Sequence, residues 1–128
     1  MKLLLDTHAL LWWVFDDPQL SRTAHAALSD PDNGVFVSAV SIWEIAIKVS
    51  LNKLPLPLEI DQQLPHVIAA TGFTALPVTP EHAYGVRHLP WHHRDPFDRL
   101  LVSQARNDDL VMLTNDVLIR RYEVQALW

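Results

Sequence analysis

Lys2-Leu3-Leu4-Leu5-Asp6-Thr7-His8-Ala9 sets the plan of the chain. A short apolar run over residues 2–5 reads as a buried strand, ends at a carboxylate, and passes into an apolar helical stretch over 9–15. The same arrangement returns at Glu44, Asp98 and Asp116, each of which stands where a strand-like run gives way to a helix-like one. In a parallel α/β sheet every strand-to-helix turn lies on one edge, the edge where such proteins place their ligands. Four carboxylates remote in sequence would then share one pocket. Like charges repel, so such a cluster needs a counter-charge, and a hard divalent cation such as Mg²⁺ is the natural one.

Working outward, Ser21 is a helix cap for 22–28, and Asp30-Pro31-Asp32-Asn33-Gly34 is a turn. A second strand is expected over 35–38, and a long helix opened by Ser41 runs over 42–52. The breaker Leu54-Pro55-Leu56-Pro57 precedes a helix over 60–70, weakened by Pro65 and closed near Gly72. A third strand covers 74–78, and Thr79-Pro80-Glu81 starts a short helix. A loop over 89–94 leads to a helix from Asp95-Pro96 to 107, then a fourth strand over 110–113, a short helix over 115–122 and a closing strand over 124–127. Strands alternating with helices predict a three-layer α/β/α sandwich around a parallel sheet of four to five strands. At 128 residues the expectation is one domain, 1–128, able to bury a real core.

Composition narrows the function. With no cysteine there is neither a disulfide framework nor a thiolate metal site, which suits a reducing cytoplasm. The apolar start over 2–5 is too short for a secretory leader, and no apolar run approaches the ~20 residues that span a bilayer, so no membrane role is expected. The net charge of −5 comes from 15 acidic and 10 basic residues, which by itself argues against nucleic acid. With the four candidate acids set aside the remainder is nearly neutral. Seven of the ten bases are arginine, six of them from Arg87 onward, and arginine is the better fork for phosphate. A solvated, salt-bridged surface is the competing reading of those arginines.

Each acid has a structural reading beside the chemical one. Asp6 could simply form a turn with the following backbone. Glu44 fits a capping box, Ser41-x-x-Glu44, and an i,i+4 pair with Lys48, either of which would keep it near the surface. Its flanks are apolar, however, and an isolated buried carboxylate is costly without a partner. In His93-Arg94-Asp95-Pro96-Phe97-Asp98-Arg99, Pro96 is placed for the first helical position, making Asp95 the N-cap. Asp98, one turn in, is the better ligand, with Asp95 in support. Asp116 could stabilise a first helical turn, while Thr114 or Asn115 caps that helix or orients a carboxylate or a bound water. What favours chemistry is the joint occurrence, because structural acids should scatter over both edges.

Four segments carry a family resemblance: Leu5-Asp6-Thr7-His8-Ala9-Leu10-Leu11-Trp12, Val37-Ser38 through Ile42-Trp43-Glu44-Ile45 to Lys48, Asp95-Pro96-Phe97-Asp98-Arg99-Leu100-Leu101, and Leu113-Thr114-Asn115-Asp116. In order and spacing they resemble the PIN-domain ribonucleases, and more narrowly the VapC-type toxins of bacterial toxin–antitoxin pairs. Asn107-Asp108-Asp109-Leu110 departs from the pattern where many relatives carry a glycine turn. The resemblance implies a PIN-like fold, an endoribonuclease needing Mg²⁺ or Mn²⁺, a homodimer, and a cognate VapB-type antitoxin whose C-terminal segment covers the active-site groove. By position, Asp98 matches the family's metal-binding acid.

Phosphodiester hydrolysis needs a strong nucleophile and relief of accumulating charge, and metal ions supply both. Asp6 and Asp98 are assigned as principal ligands, with Asp116 and Glu44 completing the ring directly or through waters. A second cation, ~3.5–4 Å away, could join with RNA. Metal-activated water would leave a 5′-phosphate and a 3′-hydroxyl, the family's expected products. Thr7 and Thr114 would orient the ligands. Arg99, and behind it Arg94, could hold phosphate, and Trp91 could stack a base. Trp12, Trp13 and Trp43 are expected in the core or a dimer contact. The pair His92-His93 is expected in solvent rather than on zinc, since adjacent histidines point apart and no helical histidine spacing is present. His8 is expected to pack near the first helix. An aspartyl-phosphate phosphatase would need an acid where His8 stands, and a receiver domain needs a late lysine, whereas the last lysine is Lys53. A PIN-shaped module that only binds a protein partner is the non-enzymatic alternative.

Overall fold

A computed structural model describes all 128 residues. Strands β1 (Lys2–Leu5), β2 (Gly34–Ser38), β3 (Thr74–Leu76), β4 (Val111–Leu113) and β5 (Ala126–Leu127) form one sheet in the order β3-β2-β1-β4-β5. Every pairing is parallel. The helices are α1 (Thr7–Val14), α2 (Arg22–Ser29), α3 (Ala39–Ser50), α4 (Leu58–Ala70), α5 (Pro80–Gly85) and α6 (Pro96–Asp108).

The side-chain alternation of β1 builds two cores. Leu3 and Leu5 join Leu10 and Leu11 of α1, Ala24 and Leu28 of α2, Ile45 of α3 and Leu64 of α4 on one face. Leu4, pointing the other way, joins Leu101, Val102 and Ala105 of α6 with Met112, Ile119 and Tyr122. All three leucines are essentially fully buried, worth about 1.5–3 kcal/mol each. That alternation explains why a run with no polar gap is a central strand: it has no solvent face. The three-layer sandwich expected from the sequence is the observed one.

Local chemistry moves several boundaries. α3 starts at Ala39, capped by Ser38, whose Oγ accepts from Val40 N–H at 3.0 Å. The expected capping box at Ser41 therefore does not form, and Ser41 lies inside the helix, its Oγ hydrogen-bonded to Thr7 Oγ1 at 3.0 Å. β3 stops at Leu76 because Pro77 has no N–H for the ladder. The helix expected over 115–122 shrinks to a 3-10 turn, Ile119–Arg121. Here the Asp116 carboxylate takes the N–H groups of Leu118 and Ile119. Asp109 adopts the left-handed conformation (φ 55°) at the end of α6, the role a glycine usually fills. Gly85 lets α5 approach α6, since a Cβ there would lie 2.6 Å from Ser103 Oγ.

Candidate active site

From β1 the chain builds β2 and β3 on one side, then crosses to lay down β4 and β5 on the other. The strand order reverses between β1 and β4, and the crevice outside their carboxyl ends is where an open parallel sheet binds ligands. Asp6 follows β1 directly, and Thr114 and Asp116 follow β4. The start of α6 brings Asp98, and the second turn of α3 brings Glu44.

Asp6 is buried and works twice. Its Oδ1 caps α1 by accepting from Ala9 N–H at 2.7 Å, and its Oδ2 accepts from Thr114 Oγ1 at 2.5 Å. The turn reading and the site reading thus hold together for one side chain. Burial pushes its carboxyl above the usual value, nearby Asp116 adds to that, and the two hydrogen bonds oppose it. Thr114 Oγ1 also accepts from Asp116 N–H at 3.0 Å, so one hydroxyl ties both acids together. Glu44 is buried. Its Oε1 accepts from Thr7 Oγ1 at 2.7 Å, and its Oε2 is paired with Lys48 Nζ. The i,i+4 pair therefore exists without bringing Glu44 to the surface. That pairing, followed by the nearby charges of Glu44, Asp95 and Asp98, raises the Lys48 pKa against the opposing effect of burial.

Asp95 is the N-cap of α6, its Oδ1 accepting from Phe97 and Asp98 N–H at 2.8 and 3.2 Å. Asp98 is different in kind. Its side chain is 16% exposed and its Oδ2 meets the imidazole of His93. Burial, then the charges of Asp95, Glu44, Asp116 and Asp6, push its pKa to about 8. The other three acids of the sequence reading, with Asp95, thus act on one carboxyl group. Asn115 is exposed and only leads the chain from Thr114 to Asp116.

His93 is the residue that sequence reasoning missed. Expected in solvent, it is only 14% exposed, with Nε2 at 2.9 Å from Asp98 Oδ2 and 3.6 Å from Asp116 Oδ2. Its Nδ1 accepts from Asp95 N–H at 3.1 Å, so the neutral ring carries its proton on Nε2. The carboxylates of Asp98 and Asp116 and the imidazole of His93 all offer a ligand atom within 4.8 Å of one another. The available signal was its position two residues before the cap of α6. His92, by contrast, is exposed, edge-on to Tyr122.

Arg99 corrects another expectation. One residue beyond Asp98 the helix has turned by about 100°, and the guanidinium is buried against the loop before α6. It donates to the carbonyls of Pro90, Val86 and Leu89 at 2.9, 3.2 and 3.3 Å and to Tyr122 Oη at 3.1 Å. It is a loop brace, not a free phosphate ligand. Trp43, expected in a core or dimer contact, is outside the core, 56% exposed and edge-on to Phe97 at 5.1 Å. Trp12 and Trp13 do pack against the first core, and His8 stacks on Trp12 at 5.6 Å. Arg94 and Trp91 are exposed beside the start of α6.

The oxygen-rich donor set fits a hard divalent cation such as Mg²⁺ or Mn²⁺. A crowd of acids around a carboxyl held at about 8 is a site short of positive charge.

A parallel sheet with acids gathered at its switch point belongs to the class of open α/β folds that hold a ligand at the carboxyl ends of their strands. Within that class, residues 3–124 match the family model described as PIN domain, and the chain belongs to this family. Over 123 residues it is 28% identical to Ribonuclease VapC22 of Mycobacterium tuberculosis (strain ATCC 25618 / H37Rv), covering 93% of this chain and 90% of that protein. Among solved structures it is similar to VapBC2 from Rickettsia felis bound to a DNA fragment from their promoter, with a TM-score of 0.75, 15% identity and coverage of 99% and 98% of the two chains. It is also similar to FitAcB from Neisseria gonorrhoeae, with a TM-score of 0.68, 20% identity and coverage of 98% and 96%.

Proposed function

We propose that this chain is a metal-dependent endoribonuclease, the toxin half of a VapBC-type toxin–antitoxin pair acting in the cytoplasm. The observation that carries the reading is Asp98, a largely buried carboxylate surrounded by Asp6, Glu44, Asp95 and Asp116. The relative named Ribonuclease VapC22 supports the substrate class, and the neighbour named VapBC2 supports an antitoxin partner. A homodimer accords with the same family.

Asp98 and Asp116 would hold Mg²⁺ or Mn²⁺, with Asp6 and Glu44 completing the ring. When bound, such a cation supplies Lewis acidity toward a phosphate and lowers the pKa of water. The protein's own part is preorganisation. Thr114 and the start of α1 hold Asp6, Thr7 and Lys48 hold Glu44, and Asp95 fixes the turn that presents Asp98. Each oxygen engaged by one donor keeps acceptor capacity for a metal or a water. Arg94 and Trp91 are the RNA-facing residues of this reading.

The test is cleavage of a fluorogenic RNA with Mg²⁺, with EDTA, and with Asp98→Asn. Cleavage that disappears in both controls is expected. Full activity in EDTA would sink the metal-dependent reading, and no activity under any condition favours a PIN-shaped module that acts only by binding a protein.

A further inference from the structure

The segment joining α5 to α6 carries an aromatic and cationic surface that the acid cluster does not use. Val86–His88 form a 3-10 turn, and the chain continues to Asp95 without regular structure. From beneath, the Arg99 guanidinium donates to the carbonyls of Val86, Leu89 and Pro90 and so fixes the path of this loop. The same guanidinium lies 3.8 Å from the centroid of the Trp91 ring. Trp91 is nevertheless 77% exposed, so its remaining surface is open to solvent. Beside it is a cavity of about 290 Å³ lined by Val86, Arg87, Trp91, Arg94, Pro96 and Arg99. Arg87 in turn lies over Tyr84, 3.9 Å from its centroid, and Tyr84 is 69% exposed. Pro96 opens the helix whose third residue is Asp98, so this cavity borders the acid cluster.

We propose that this cavity is a subsite for one unpaired nucleotide of single-stranded RNA next to the scissile phosphate. Trp91 takes the base face-on, and Arg94 and Arg87 take the flanking phosphates. The proposal rests on the nuclease reading and names where its substrate is gripped. Three features select this ligand. A large exposed indole braced from behind offers a rigid flat platform, and every base has a π-face to lay on it. The exposed guanidinium groups of Arg87 and Arg94 at one small cavity call for anions, and arginine forks match phosphate oxygens. A duplex keeps its bases stacked on one another and cannot present a free face, so the site selects loops and unpaired ends. An acidic peptide would satisfy the arginines but leave the indole unused. Tyr84, stacked by Arg87, extends the surface by a second exposed ring.

The test is binding of a fluorescein-labelled ten-nucleotide single-stranded RNA in EDTA, which removes cleavage from the readout. It compares the full-length protein with Trp91→Ala, Trp91→Phe and Arg94→Ala. Thermal melts run alongside, because a merely structural Trp91 would move the melting temperature and not the affinity. Trp91→Ala is expected to weaken binding about tenfold and Trp91→Phe to restore most of it. Arg94→Ala is expected to weaken binding and flatten its salt dependence by about one phosphate contact. The same sequence closed into a hairpin stem is expected to bind less tightly and to ignore Trp91. Equal RNA affinity of wild type and Trp91→Ala overturns the subsite while EDTA-sensitive cleavage keeps the nuclease reading. Loss of binding to a labelled oligoglutamate, with RNA binding unchanged, also overturns it and assigns the cavity to an acidic peptide. A wild type that neither binds nor cleaves RNA overturns both.

Discussion

At the scale of single residues, Asp98 links stability to function. Its folded pKa of about 8 lies above its unfolded value of 3.8, so the folded state favours the neutral form. The stability this contributes is complete below about pH 4 and is lost as pH rises toward 8. The melting temperature of metal-free wild type minus that of metal-free Asp98→Asn is therefore expected to fall across this window. A difference that stays flat or rises contradicts the placement of Asp98 among the other acids. With Mg²⁺ added, wild type is expected to gain stability by mass action and Asp98→Asn to gain little. Thr114→Val separates orientation from ligation. It strips Asp6 Oδ2 of its donor and Asp116 N–H of its acceptor, at about 1–3 kcal/mol in a denaturant melt. Cleavage is expected to fall about 10–100-fold, and Thr114→Ser, which keeps the hydroxyl, should recover most of it.

At the scale of elements, α6 is both scaffold and site. Asp95→Ala removes its cap and is expected to cost about 1 kcal/mol, read as a shift in urea midpoint, whereas Asp95→Ser should hold stability. Asp95→Ser also deletes the largest charge acting on Asp98, so it should shrink the pH dependence described above without unfolding the helix. If Asp95→Ser and wild type show the same pH dependence, Asp95 does not act on Asp98 electrostatically. Arg99→Lys tests the brace. Lysine has no planar fork to span the carbonyls of Val86, Leu89 and Pro90 together. Hydrogen exchange over residues 86–94 is expected to accelerate, while the strands of the sheet stay protected. These elements were unevenly legible. Asp95-Pro96 announced the start of α6 because a cap and an N1 proline act through adjacent backbone. Ser41 misled because a serine three residues earlier, already at the strand end, captured the helix start.

At the scale of the whole molecule, the order β3-β2-β1-β4-β5 decides everything about the site. It sets β1 beside β4, so Asp6 and Thr114, 108 positions apart, share a hydrogen bond. It also divides the leucines of β1 between two cores, which pins that strand at the centre. No helix is long and apolar enough to cross a membrane. The acid cluster and the arginine-lined cavity, of opposite sign, both adjoin the start of α6.

Much was already written in the residue order. Alternating strand and helix patterns determine a parallel sheet, and acids placed just after strands determine that its carboxyl edge is charged, because both depend on local periodicity and on the one-edge rule of parallel crossovers. Three things waited for tertiary structure. Glu44 is buried while keeping its pair with the partly exposed Lys48, Arg99 turns into its own loop, and His93 enters the acid cluster. Each depends on which way a side chain faces once distant segments are packed, and no neighbouring residue in the sequence carries that direction.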